Sequence, residues 1–347
     1  MLPQKSRLPR VALTLGDVAG IGPEITARAV TDPRINRWCR PVVVGHPVTL
    51  RRALQQIGST IQVVPLVSLG SEHPAADGGC IHIFNPGDDT VVDVPLGQLD
   101  ARAGRAAYEY LVAAARSALR GEIDAITTAP LNKAALHLAA LNYPGHTEIL
   151  AAECSVADFG MMLYLPHGNR VFSPHGLGVV HVTLHTSIRS VPDLLTTAGV
   201  LEKIGLIDGY LKRIGCAVPR VAVCALNPHG GESGLFGDEE GRIIEPAVAA
   251  ALAAGIRVQG PLPADTLLKR AVGGEFDGVV AMYHDQGHIA LKLIGFDTAV
   301  NVTLGLPIIR TSPSHGTAFD IAGQNRADSQ GLMQAIRIAA LLAGNRV

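Results

Sequence analysis

Residues 10–24 read RVALTLGDVAGIGPE, an aliphatic run followed by a glycine-rich turn and then a proline and an acid that open an Ala-rich amphipathic stretch. The run predicts a strand. Pro23 and Glu24 predict a helix start, because the first helical turn has unpaired amides that a proline does not miss and a positive dipole end that an acid complements. The order recurs: residues 41–44 precede GHP, residues 125–128 precede APLNK, and residues 220–226 precede NPHGGE. Repeated strand, turn and helix predict an α/β fold with a mostly parallel sheet and helices on both faces, whose ligands gather at the carboxyl ends of the strands.

At 347 residues the chain exceeds an ordinary single core, so two lobes are expected. The first is placed at residues 1–135 with 310–347 returning to it, and the second at residues 136–309. Residues 58–95, with EHPAADGG and NPGDD, predict irregular connections and short antiparallel strands. The composition, 48% hydrophobic and 17% charged, supports a buried core. A net charge of −1 gives no electrostatic reason to hold nucleic acid or an anionic membrane. No apolar run approaches the roughly 18 residues of a membrane span and no signal peptide opens the chain, so a soluble cytoplasmic protein is expected. Cys39, Cys80, Cys154, Cys216 and Cys224 form no CxxC pair and read as reduced thiols.

Histidine carries more information. GVVHVTLH reaches His185, VAVCALNPH reaches His229, and GVVAMYH reaches His284 with Asp285 directly after it. One such histidine could merely cap its strand. Three at one sheet edge can converge on a divalent metal and leave a position open for substrate. His181 lies within its strand and reads as a satisfied core residue, and His288 as an outer partner of the site.

Other polar residues suit an anionic ligand. YPGHTEIL sets His146 and Thr147 at a helix start, where amides, a hydroxyl and an imidazole fit phosphate or carboxylate, although Thr147 would serve equally as a helix cap. Lys292, Asn301 and Arg310 are embedded among aliphatics in LKLIGFDTAVNVTLGLPIIRTS and point to a shared anion. Asp265 in PADT and Asp285 are candidate acids or bases, with helix start and ligand orientation as their plainer roles. No G-x-G-x-x-G or Walker loop occurs, so a nucleotide would need another device.

SHGTAFDIAG at residues 314–323, taken with GDVAGIGPE, resembles the isocitrate and isopropylmalate type of β-decarboxylating dehydrogenase. A fuller resemblance spans nearly the whole chain. GDVAGIGPEI, TAPLNK, YPGHTE, LNPHGGE, GPLPADT, AMYHDQGH, NVTLGLPIIRTS and HGTAFDIAG stand in the order of the 4-hydroxythreonine-4-phosphate dehydrogenase family of vitamin B6 synthesis. The resemblance implies a two-lobed fold of the isopropylmalate dehydrogenase kind. It also implies NAD or NADP held by His315, Gly316 and Asp320, and one divalent metal (Zn, Mg, Mn or Co) on His185, His229 and His284. Substrate contacts would come from His146, Thr147, Lys292, Asn301 and Arg310, with Lys292 also a candidate catalytic group. Family members are homodimers with a shared site, the third histidine, the Lys, the Asn and the Arg coming from the neighbouring chain.

The implied reaction is oxidation and decarboxylation of a small phosphorylated 3-hydroxy acid. NYPGHTE, LFGDEE and HDQGHIALKLIGF look closer to a branch that oxidises 4-phospho-threonate or 4-phospho-erythronate. HVTLHTSIRS looks like the related terephthalate dihydrodiol dehydrogenases, which act on a cyclic diol without phosphate. The segment between Tyr164 and His181 is longer than the vitamin B6 enzyme leads one to expect and is placed beside the first metal ligand. From another class, a metal-dependent hydrolase of phosphorylated sugars would use the same histidines and anion clamp, and a non-catalytic sensor would use the clamp alone.

Overall fold

The run at residue 10 folds as β1 (Arg10–Thr14), fully buried, and its chain turns through the glycines into α1 (Gly22–Thr31) with Pro23 in the first turn. The computed structural model describes residues 7–71, 79–168 and 170–345. They fall into two compact units, residues 1–157 with 306–347, and residues 158–305.

After α1 the first unit continues through α2 (Ile35–Trp38), β2 (Arg40–Val44), α3 (Pro47–Gln56), β3 (Gln62–Pro65), β4 (Cys80–Phe84), α4 (Ala101–Leu119), β5 (Ala125–Thr128), α5 (Lys133–Leu138) and α6 (His146–Glu153). The second unit holds β6 (Gly160–Leu165), β7 (Leu177–His181), α7 (Val191–Leu194), α8 (Thr197–Arg213), β8 (Val221–Cys224), α9 (Glu245–Ala253), β9 (Val258–Leu262), α10 (Ala264–Val272), β10 (Gly278–Ala281), α11 (His284–Gly295) and β11 (Val300–Leu304). The chain then returns to the first unit as β12 (Arg310–Pro313) and α12 (Gln330–Gly344).

In the first unit the strand order is β3-β4-β2-β1-β5-β12, and every pair runs parallel. In the second it is β11-β6-β7-β10-β8-β9, with β6 antiparallel to both its neighbours and the other pairs parallel. Strands buried on both faces read as continuous apolar runs, which is why β7, β8 and β10 stood out in the sequence. The short strands expected to be antiparallel between residues 58 and 95 are the parallel β3 and β4, with β4 beside β2. Residues 72–78, within EHPAADGG, lie outside the described residues. The first break in the chain falls at 157/158, later than the expected 135/136, because α5 and α6 pack on α4 of the first unit. The return falls at 305/306, against the expected 309/310.

The amino ends of β8 and β10 are tied by an ion pair between the partly exposed Arg220 and the buried Asp277. Asp277 accepts from Arg220 Nε (3.0 Å), Arg220 Nη2 (2.8 Å), the Arg220 amide (2.9 Å) and Ser173 Oγ (2.7 Å). Burial alone would raise this carboxyl. The donors outweigh it and hold Asp277 below the usual carboxylate range. Asp277→Ala should cost roughly 2–4 kcal/mol by chemical denaturation, the lower part of the range reflecting the partly exposed Arg220. Because the folded pKa is depressed, this stabilisation is complete above the carboxylate pKa of the unfolded chain and is lost as pH falls through the folded value.

Candidate active site

β7 and β10 are parallel neighbours, with Ala281 opposite His181 at their carboxyl ends. The chain leaving β10 enters α11 at His284, so the loop after β7 and the first turn of α11 share one edge of the second unit. Four imidazoles gather there. The His185 and His284 rings are 6.0 Å apart, and the His284 ring lies against His288 at 3.7 Å and 12°, as residues four apart on a helix do. His288 Nδ1 faces His181 Nε2 at 3.1 Å, and His181 Nδ1 faces the Met161 carbonyl at 3.3 Å. Burial pulls His181 down to about 4 and His288 down to about 3, and charge on the neighbouring histidines acts in the same direction. His284 Nδ1 is 2.6 Å from Asp285 Oδ1, which leaves Nε2 turned away from the carboxylate. His185, Ser187, Tyr283, His284 and Asp285 line an open pocket of about 760 Å³.

The three histidines read as strand ends do not end their strands. His181 closes β7, and His185 lies four residues on, exposed in the following loop. His229 lies beyond β8 on a turn with left-handed backbone (φ 54°), exposed, and the ring contacts among the described residues leave it out of the cluster. His284 is the first residue of α11. Among the described residues no group of three or more His, Cys, Asp or Glu is arranged to hold a metal. His185 and His284 supply two adjacent donors. The long segment after Tyr164 joins β6 to β7 at the end away from His181, where Leu165 pairs with Leu177, so it does not border His185.

In the first unit Arg310 and His146 stand near one another. Arg310, the first residue of β12, is 2% exposed and donates to Thr128 Oγ1 from Nη2 (2.8 Å) and Nε (3.2 Å). Burial lowers its pKa to about 10, and Glu148 opposes that shift. His146 opens α6 and donates from Nε2 to the Ala129 carbonyl (3.2 Å), and burial followed by the charge of Arg310 holds the ring well below its usual pKa. Gly145, without a side-chain cap, precedes the helix, so Thr147 is not its N-cap. A buried guanidinium, helix N-terminal amides and the nearby Lys133 together favour an anionic group. Lys133 was missed in the sequence, although TAPLNK exposed it as part of an ordered motif. The other two proposed substrate contacts lie in the second unit. Lys292, on α11, is 5.9 Å from the Phe296 ring, and Asn301, on β11, has a buried Oδ1 without a hydrogen-bond partner. His146 and Arg310, assigned by the resemblance to different chains, are neighbours within one chain, as are His185 and His284.

The two loops of the dehydrogenase resemblance meet in the first unit. The Ile21 amide donates to the Thr317 carbonyl (3.0 Å), and a Cβ at Gly20 would lie 2.7 Å from that oxygen, so only glycine allows the approach. Val18, Gly20, Glu24, Arg52, Leu96 and Gly323 line a cavity of about 120 Å³. Buried polar atoms lack partners around these loops: Glu24 Oε2, Asp17 Oδ2 and His315 Nε2. Asp17 is pushed up to about 6 by burial, against the Ala19 amide that it accepts at 2.9 Å. Gly316 and the Asp320 side chain are exposed on the same loop. Unsatisfied buried atoms beside a glycine cradle suit a polar ligand such as a nucleotide. Asp265 is different. It is exposed in the first turn of α10 and accepts from the Thr266 amide (2.9 Å), a local turn contact outside the histidine cluster.

No helix among the described residues is long and apolar enough to cross a membrane. The family model described as pyridoxal phosphate biosynthetic protein PdxA matches residues 37–339. The chain is 48% identical over 341 residues to the D-threonate 4-phosphate dehydrogenase of Salmonella typhimurium, covering 96% of this chain and 98% of the relative. It is 44% identical over 335 residues to the 4-hydroxythreonine-4-phosphate dehydrogenase of Geobacter metallireducens, covering 96% of each. The crystal structure of a 4-hydroxythreonine-4-phosphate dehydrogenase from Burkholderia phymatum superposes with a TM-score of 0.81 at 42% identity, over 97% of this chain and 99% of that one.

Proposed function

The chain belongs to the pyridoxal phosphate biosynthetic protein PdxA family, and from that premise we propose that it oxidises D-threonate 4-phosphate, a small phosphorylated 3-hydroxy acid, with a nicotinamide dinucleotide. It is an oxidoreductase, and the hydrolase and sensor readings fall away with the dehydrogenase relatives. The observation that carries the substrate class is the buried Arg310 near His146 at the start of α6, a pairing that suits a phosphate or carboxylate.

In the proposed reaction the secondary alcohol β to the carboxylate loses a hydride and a proton, and the β-keto acid then loses carbon dioxide to give a ketone. The nicotinamide supplies the hydride acceptor. A divalent ion would be held by His185, His229 and His284, the third of them contributed across a homodimer, and it would supply Lewis acidity to the reacting oxygen. Asp285 accepts from His284 Nδ1 and so keeps Nε2 free as the donor. Arg310, His146 and Thr147 would grip one anionic end of the substrate. A second copy of the chain is the occupant proposed for the stripe of Ile289 (57% exposed) and Leu293 (77%) on α11, the helix that begins at His284, with Phe296 (49%) just past its end.

We assign the adenosine half of the dinucleotide to the loop at residues 314–323, with His315, Gly316 and Asp320 as its contacts. Asp320→Ala should raise the KM for the dinucleotide at least tenfold and leave that for the phosphorylated acid nearly unchanged, since the carboxylate is exposed and supports no core. Equal rises in both constants would place Asp320 in general folding. Initial rates at the nicotinamide absorbance band with D-threonate 4-phosphate, 4-hydroxythreonine-4-phosphate and the terephthalate diol test the substrate. A preference for the diol would overturn the phosphate reading.

A further inference from the structure

Behind His284 lies a pair of histidines that the proposed reaction does not use as ligands. The Met161 carbonyl can only accept, so His181 Nδ1 carries the hydrogen that faces it (3.3 Å). Both rings are buried among apolar strands, where a neutral imidazole is favoured. His181 Nε2 is then a lone pair, and the 3.1 Å contact requires the hydrogen on His288 Nδ1. One tautomer of each ring satisfies both bonds. The His288 ring in turn lies flat on His284 at 3.7 Å and 12°. Gly287 makes this possible: a Cβ there would stand 2.6 Å from His181 Nε2 and 2.7 Å from Val179 Cγ1, so a side chain would wedge α11 off β7.

His284 has two restraints of unequal stiffness. Asp285, on its Nδ1, has a side chain 68% exposed to solvent, so the carboxylate can swing. The imidazole face behind it is fixed to the strand through His181. Resting on the reading of His284 as a metal ligand, we propose that His181 and His288 are positioning residues, a tautomer-locked pair that fixes the ring plane of His284 and so aims its Nε2 at the ion. A strand carbonyl thereby sets the direction of a metal donor two rings away.

The test uses the full chain and two readouts. Ring 15N–1H spectra of metal-free protein should give one sharp set of His284 signals in the wild type. They should double or broaden in His288→Asn, which keeps a donor to His181 but removes the ring from His284. Affinity for Co(II), titrated against a chelating dye, should fall about 10- to 100-fold in the same variant. His181→Phe should lose a similar factor, and His181→Gln, which keeps an acceptor for His288, should recover most of it. Thermal unfolding establishes that each variant is folded at the assay temperature. Unchanged His284 signals in a folded His288→Asn would overturn the proposal even if the wild type binds the ion. Altered signals in a chain whose wild type binds no ion would leave the positioning role standing and remove the metal reading instead.

Discussion

His284→Ala is expected to abolish both the bound divalent ion and turnover while the protein stays folded. His284 and His185 are the adjacent donors of the cluster, and neither fills a core: His185 is exposed in its loop, and His284 sits at the first position of α11. On the proposed metal reading, loss of a direct ligand would remove Lewis-acid stabilisation of the reacting oxygen, worth several kcal/mol, so kcat/KM should fall on the order of 10³-fold or more. His185→Ala and His229→Ala should behave alike. Metal content by elemental analysis, circular dichroism and rates on the same preparation check the claim together. Full activity in His284→Ala with normal metal content would remove the histidine assignment.

Arg310→Ala should lower kcat/KM for the phosphorylated acid by about 2–4 kcal/mol, roughly 30- to 1000-fold, because an anion in a closed site loses a charge-assisted partner. The guanidinium is buried and bonded to Thr128, so some loss of stability accompanies the change, and the rates belong at a temperature where the variant is fully folded. Arg310→Lys separates the two effects: it keeps the charge but loses the planar fork that bonds to Thr128. A specificity constant unchanged in Arg310→Ala would make this a structural arginine.

Much of this architecture was legible as hydrophobic runs punctuated by glycine and proline. β1 and β5 lie where the runs placed them, since a strand buried on both faces leaves an unmistakable apolar signature. Direction was not legible. Nothing local distinguishes the parallel β3 and β4 from a hairpin, or marks β6 as the strand that runs against its neighbours. The histidines show a subtler limit. The apolar run through His185 outlasts β7 because the Val182 and Thr183 amides still bond to the Ala281 and Met282 carbonyls after the strand proper has ended. Burial of His181 was read correctly, but its partner His288 is 107 residues away, and no periodicity reports a contact at that separation. Lys133 stood in a visible motif without a sign of its role, since its neighbourhood with His146 and Arg310 is made only by the packing of α5, α6 and β12.

The measurement closest to the central claim is reduction of the nicotinamide by D-threonate 4-phosphate, followed in one enzyme preparation as purified, after chelation, and after a divalent ion is restored. The account predicts turnover that disappears with the ion, returns with it, and releases one carbon dioxide per nicotinamide reduced. Turnover that survives complete removal of the ion, or none in the reconstituted enzyme under conditions where a dephosphorylated diol reacts, would contradict it.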